Sequence, residues 1–374
     1  MMRVEEINRL EDLSPYRLRW QRLLGETRGA TFFQSLDWLD CYLRHFGEGL
    51  RLRVLLVSHE RRSLGILPLV VRTYSSRLGM VRSLGYPLDD WGSFFGPIGP
   101  NPTATLLAGL RHIRETPRDW DVIDLNWVQD TLDRGRTEHA MRRASLAPLR
   151  RVTAAAAMVE FETDWEGYLE SRSRHVLKNL RRTERKLASA GAVEHVHYRP
   201  RGAAWGDSDP RFDLYDACEK IAGKSWQARS TCGGNTLSST SVRDFLRDAH
   251  CRAAAAGAVD IQLLRVAGQP VAFTYGYHLA GLTTGLRMGF DAEFSRDGAG
   301  ALVCARSLES CCRSGDYGYD LGLNYLHYKR NWLTRIALCE RYTHYAPRPR
   351  PQLLRMKGLW QRWRSGAELK AGWE

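Results

Sequence analysis

The chain has 374 residues, 43% of them hydrophobic, with 55 Lys or Arg against 42 Asp or Glu and a formal net charge of +13. That length and apolar share predict two domains with cores of their own and exclude a disordered chain. An acidic start, the lack of any run of about 18 apolar residues, and eight scattered Cys exclude a signal peptide, a membrane span and a disulfide scaffold, and point to a reduced, cytoplasmic protein.

Only seven of the basic residues are Lys, so the surface is rich in Arg, whose planar fork suits phosphate and carboxylate. The Lys that remain among so much Arg, notably Lys178, Lys220, Lys224 and Lys329, stand out as candidates for ammonium chemistry. No CxxC pair and no Cys–His pair at zinc-ligand spacing is read, so no metal is expected.

In chain order, Trp38, Leu39, Tyr42, Leu43 and Phe46 recur at helical spacing up to Gly47. Residues 52–57 and 64–71, joined by a polar turn, read as a β-hairpin. A strand end and loop over 84–92, a helix over 105–115 and a strand over 121–127 complete a mixed α/β unit. A polar, Arg-rich stretch over 130–151 divides the halves. After a strand over 156–161, Thr163 with Glu166 reads as a capping box for one long helix that stops at Gly191. On it Arg174, Lys178, Arg181, Arg182 and Arg185 fall at i, i+4, i+7, i+8 and i+11, a basic stripe fit to bind phosphates. His195 and His197 share one strand face, but two ligands without a third make no metal site. A helix from Pro210 leads to Lys224 and Trp226, also phosphate- or substrate-binding candidates, and then to a Gly/Ser/Thr-rich loop that reads as a lid or a plain connection.

The hairpin 261–266/270–279 and a strand over 282–290 lead into residues 294–301, which sit before an apolar helix over 302–312. Gly298, Ala299, Gly300 and Ala301 let the backbone approach a ligand, and the N–H groups and dipole at the start of that helix suit a pyrophosphate. Arg296 adds a charged clamp. The strand over 317–323 ends beside Asp320, Tyr325, His327, Tyr328 and Lys329, where open α/β sheets place ligands. Acyl transfer needs a proton taken from the nucleophile and one given near the leaving group. Asp320, Tyr325, Tyr328 and Lys329 are the candidates for those roles and for holding a phosphate or carboxylate. The similar placement of the two hairpins points to an internal duplication. The tail, with Leu353, Leu354, Met356, Leu359, Trp360 and Trp363 among basic residues, reads as a helix that docks on its own domain or lies on a membrane surface.

Taken together, Phe33-Gln34-Ser35 with Trp38, Arg44-His45-Phe46-Gly47, Leu67-Pro68-Leu69, Leu84-Gly85, Ser173-Arg174, Asn179-Leu180-Arg181-Arg182, Lys224-Ser225-Trp226, Gly268-Gln269-Pro270-Val271-Ala272, residues 298–302, Asp320-Leu321-Gly322 and Tyr328-Lys329 resemble the CelD/BcsL family of GNAT-type acetyltransferases. The resemblance covers most of the chain and implies two tandem GNAT-like mixed-sheet domains akin to the Fem peptidyltransferases. Residues 1–150 would be a degenerate copy, 151–350 the acyltransferase domain, and 351–374 a basic, Trp-rich terminal helix. It further implies acetyl-CoA or another acyl-CoA as donor, bound along Gly298 and Gly300. One departure is that Ser295 stands where the family's donor loop has Gln or Arg, with Arg296 one place on. Three functions follow: acyl transfer to an amine or hydroxyl of a sugar, polysaccharide precursor or small metabolite; aminoacyl transfer from a tRNA, as in the Fem-like relatives; or a non-catalytic scaffold.

Overall fold

The computed structural model describes residues 2–60, 62–225, 237, 239–324 and 326–365, the side chains of 295, 296, 326, 327 and 358–365 lying outside that description. Its strands are β1 (Met2–Ile7), β2 (Arg51–His59), β3 (Arg62–Ser76), β4 (Gly79–Gly85), β5 (Val122–Gln129), β6 (Leu149–Glu160), β7 (Val193–Tyr198), β8 (Val259–Val266), β9 (Gln269–Leu279), β10 (Leu282–Phe290), β11 (Gly318–Leu323) and β12 (Arg335–Tyr345). All join one sheet in the order β1-β2-β3-β4-β5-β12-β6-β11-β10-β9-β8-β7. The helices are α1 (Arg17–Gly25), α2 (Leu36–Phe46), α3 (Pro102–Glu115), α4 (Asp130–Asp133), α5 (Arg136–Arg143), α6 (Trp165–Glu170), α7 (Arg174–Ala190), α8 (Phe212–Lys224), α9 (Arg243–Ala255), α10 (Ala299–Arg313), α11 (Leu326–Lys329) and α12 (Pro349–Ser365).

Each half builds an antiparallel meander, β2-β3-β4 or β8-β9-β10, that ends in a short parallel pair: β4 with β5, and β10 with β11. The mixed α/β fold with two GNAT-like halves matches the sequence expectation. The closing strands, however, are exchanged. β12, the last strand of the chain, lies antiparallel to β5 of the first half, while β6 lies between β12 and β11 of the second. The expected boundary between residues 150 and 151 therefore falls inside a strand.

Alternation along β8 puts Ile261 and Leu263 on the face covered by α8 and α9, and Leu264 and Val266 on the face covered by α7 and α10. The halves are also tied by α2 against α9. Ser35 caps α2 by accepting from the Trp38 N–H at 3.0 Å. That first turn sets Trp38 5.2 Å from the Phe245 ring, beside Trp91 and Tyr277. Truncating a ring buried in such a cluster costs about 3–5 kcal/mol.

The sequence reading departs from the fold in three places, and meets it in a fourth. The 130–151 stretch is not a plain divider: α4 and α5 lie there, and Ala140 and Met141 are fully buried. The long helix before Gly191 is two helices. Asp164, not Thr163, caps α6 by accepting the Gly167 N–H at 2.9 Å, and Ser173 opens α7 by accepting from Val176. β1 and β12 were not anticipated. β12 carries charges that obscure its strand period, and each finds a cross-strand partner: Arg335 with Glu160, Arg341 with Asp124, and buried Glu340 with Arg150. Finally, α12 docks at its start, where the Gln352 side-chain amide donates to the carbonyls of Tyr345 and Ala346, yet Leu353 and Met356 stay more than half exposed. No helix among the described residues is long and apolar enough to cross a membrane.

Candidate active site

β10 and β11 run in register only over residues 282–284 and 318–320. Beyond that point β10 passes through a bulge between Gly285 and Arg287, while β11, paired with β6 on its other side from Gly318 on, shifts its register there between Asp320 and Leu323. A bulge re-aims a strand and ends pairing, so the two parallel strands splay. Gly285 sits at the crotch, where an added Cβ would lie 3.1 Å from the Asp320 carbonyl.

The loop after β11 wraps around Lys329. Gly322 and Asn324 take left-handed backbone, with φ of 86° and 52°, and turn their carbonyls and that of Leu323 onto the Lys329 ammonium at 2.9, 2.9 and 3.0 Å. An ammonium has three donors, and here all three are engaged. Burial lowers the Lys329 pKa to about 8, against the opposing pull of Asp320. Asp320 is itself buried. It accepts the Gly322 N–H at 2.8 Å, bonds to Ser93 of the first half, and burial raises its pKa. The pair expected to move protons and hold phosphate thus sits beneath the splay and fixes the loop that forms its floor. Tyr328, next in the chain, is 45% exposed. Tyr325 lies outside the described residues, as do the His327 side chain and Trp226.

On the far side of the splay α10 begins. Gly298 is its N-cap with φ 78°, and its carbonyl accepts the Ala301 and Leu302 N–H groups at 2.9 and 3.1 Å. The glycines are required by packing as well as by any ligand. A Cβ on Gly298 would meet Thr183 of α7 at 2.6 Å, and one on Gly300 would meet the Phe290 ring at 2.7 Å. Gly298 and Gly300 are half-exposed, Ala301 is exposed and Ala299 is buried, so the start of the helix is open. The Arg296 side chain lies outside the described residues.

α7 crosses beside this opening. Its Lys186 pairs with Asp297 at 2.5 Å, and Arg174, Lys178, Arg181, Arg182 and Arg185 are all exposed. Lys224, at the end of α8, pairs with Asp291 at 2.7 Å where β10 ends.

Several residues here escaped the sequence reading. Arg287 in the bulge lies among Tyr277 and Tyr215, and burial lowers its pKa to about 10. The Tyr215 hydroxyl is buried with no hydrogen-bond partner among the described residues. His250 is buried, with Nε2 2.6 Å from the Pro210 carbonyl and Nδ1 3.1 Å from the Tyr275 hydroxyl, and burial lowers its pKa to about 4. The available signal was an Arg in mid-strand opposite the alternating Tyr275 and Tyr277.

Residues 174–330 match the family model for an acetyltransferase (GNAT) domain. With the fold, this indicates an N-acyltransferase. The GNAT match covers both flanks of the splay, from α7 to α11. Among solved structures the chain is similar to FemX, at 10% identity and a TM-score of 0.64, over 93% of this chain and 99% of that one. It is also similar to a conserved protein of unknown function from Bacteroides thetaiotaomicron, at 12% identity and a TM-score of 0.53, over 92% and 100%. A third similar structure is a C-terminal domain assigned to a lysylphosphatidylglycerol synthetase of Agrobacterium fabrum, at 12% identity and a TM-score of 0.52, over 91% and 95%. At these identities the likeness is one of fold. No curated protein sequence matches the chain.

Proposed function

We propose that this N-acyltransferase takes an acyl group, acetyl first, from acyl-CoA and delivers it to an amine or hydroxyl of a sugar, polysaccharide precursor or small metabolite. The observation that carries the reading is the splay of β10 from β11 beside the open start of α10. The pyrophosphate would rest on the first amides of α10. The thioester would reach into the splay, and the acceptor would enter from the opposite sheet face, where Arg287 and Tyr215 lie. Catalysis would come from orientation and from main-chain N–H groups facing the developing oxyanion. Tyr328 is the candidate proton donor to the leaving thiolate. Asp320 and Lys329 would act through the loop they hold. The CelD/BcsL resemblance favours a polysaccharide precursor as acceptor.

Calorimetric titration with acetyl-CoA tests this reading. Binding in the micromolar range is expected, and no heat at millimolar concentration would sink it.

The exposed basic face of α7 favours a second reading, transfer from an aminoacyl-tRNA. Arg174, Lys178 and Arg181 form no ion pair among the described residues, so the face is free to meet phosphates. Binding of tRNA that falls steeply with salt, with CoA ignored, would establish it. If Asp320→Ala, Tyr328→Phe and Lys329→Ala all left the cellular phenotype intact, the scaffold reading would gain instead.

A further inference from the structure

The α2–α9 contact that joins the two halves is mostly aromatic, but at one edge it gathers three metal-ligand side chains. Cys41 and His45 lie one turn apart on α2, and Asp248 faces them from α9. The Cys41 sulfur is 3.4 Å from Asp248 Oδ2, and His45 Nε2 is 3.3 Å from the same oxygen. The three ligand atoms all lie within 4.8 Å of one another. No other such trio occurs among the described residues.

We infer that Cys41, His45 and Asp248 form a zinc site that clips the first half of the chain to the second. Three features favour a metal over a cluster held by hydrogen bonds alone.

The first is size. Bond lengths of about 2.3 Å to sulfur and about 2.0–2.1 Å to nitrogen or oxygen, at tetrahedral angles, set ligand–ligand separations of about 3.3–3.6 Å. The two separations to Asp248 match that range. A one-turn spacing on a helix is also a recurrent way to present two ligands on one face.

The second is orientation. Arg252 Nε holds the other Asp248 oxygen, Oδ1, at 2.9 Å, which leaves Oδ2 turned toward Cys41 and His45. Outer partners of this kind fix first ligands in metal sites. The remaining charge on Arg252 is met by Asp40 at 2.5 Å.

The third is charge. A Cys41 thiolate and the Asp248 carboxylate neutralise a divalent ion, so the loaded site carries no net charge into the interface. Ion binding would displace the thiol proton of Cys41, as it does for any thiolate ligand. His45 and Asp248 side chains are 28% and 33% exposed, so a water can reach the fourth position.

The inference does not rest on the acyl-CoA reading, since the site lies apart from the β10–β11 splay. The test uses the full chain purified without chelator from zinc-supplemented culture. About one zinc per chain is expected by elemental analysis. After chelator treatment, added Co2+ should give the visible bands of a tetrahedral ion and a near-ultraviolet thiolate-to-metal band. Cys41→Ser should abolish the thiolate band, and Asp248→Asn and His45→Gln should each weaken Co2+ affinity at least tenfold, with unchanged far-ultraviolet circular dichroism confirming that each variant is folded. Metal-free chain that takes up neither zinc nor Co2+, or a band that survives both Cys41→Ser and Asp248→Asn, overturns the assignment. The trio would then be a hydrogen-bonded cluster.

Discussion

The two halves of the sheet start alike and end differently. In each, a meander delivers a strand into three residue pairs of parallel ladder, 83–85 with 122–124 in the first half and 282–284 with 318–320 in the second. Each ladder is braced where it begins by an Asp–Arg pair, Asp121 with Arg82 and Asp316 with Arg199. Past the ladder the halves diverge. In the first, the loop between β4 and α3 turns back into the gap: the Phe95 N–H donates to the Trp127 carbonyl at 2.8 Å, and Ile98 bridges Ile66. Its helix α3 then starts on Pro102, which has no N–H to offer. In the second, β10 runs on through its bulge with no further pairing to β11, and α10 starts after Gly298 instead of on a proline. The same topology thus yields one copy in which a loop bridges across past the ladder and one in which β10 runs on unpaired with β11. The difference lies in a few residues at the helix starts and in the loops that precede them.

The comparison can be broken most strongly at the braces. Asp316 is deeply buried with Arg199 and His278, whereas Asp121 and Arg82 lie nearer solvent. Removing one charge of a buried network leaves the others unpaired. Asp316→Asn is expected to cost about 3–5 kcal/mol in urea unfolding, and Asp121→Asn about 1 kcal/mol or less. Equal costs would show that the two braces are equivalent.

Acid should weaken the second half first. His250, under α8 and α9, has a pKa lowered to about 4, so the folded state stays neutral while the unfolded chain takes up a proton below its ordinary value of about 6.5. Stability is then full above pH about 6.5 and falls as the pH drops toward 4, by up to about 3 kcal/mol. Burial pushes Asp316 up, but hydrogen bonds from His278 and Arg199 outweigh it and hold the carboxyl below its ordinary range, so its loss belongs to more acid pH. Hydrogen exchange at pH 5 should rise in α8 and α9 before α3 and α5, and His250→Gln should flatten the pH slope. Uniform exchange across both halves would refute this.

The exposed start of α10 can be blocked by substitution. Gly300→Val drives a side chain into Phe290 and should weaken acetyl-CoA binding by about a hundredfold or more, about 2.7 kcal/mol. Pro102→Ala at the matching place in the first half should leave binding within about twofold. A smaller effect than that of Gly300→Val is expected at Lys329. Lys329→Met frees three carbonyls of the floor loop and should lower kcat/KM by about tenfold with a lesser change in acyl-CoA affinity. A loss confined to acyl-CoA affinity would instead return Lys329 to a phosphate-holding role.

Much of the architecture was legible in the chain, because local physics carried it. Helical spacing gave α2, α8 and α9, paired apolar runs gave both hairpins, and Gly298 to Ala301 marked the start of α10. The roles of Asp320 and Lys329 were not legible, because spacing shows that residues are neighbours and not whether their donors are already engaged. Arg287, Tyr215 and His250 were missed for a related reason: they lie far apart in sequence and meet only through the β9–β10 register and the packing of α8 and α9. Cys41 and His45 were passed over as a metal pair, and their third partner is 203 residues away from His45.

By itself the sequence determined what depends on neighbours along the chain: periodicity, caps, turn glycines, net charge and the order of elements. The tertiary structure alone decided which strand closes which half, which of two similar ladders is bridged by a loop past its end, and which polar side chains are buried together. Those outcomes depend on contacts between distant segments, whose energies are set by burial and by the partners each polar group finds in the folded chain.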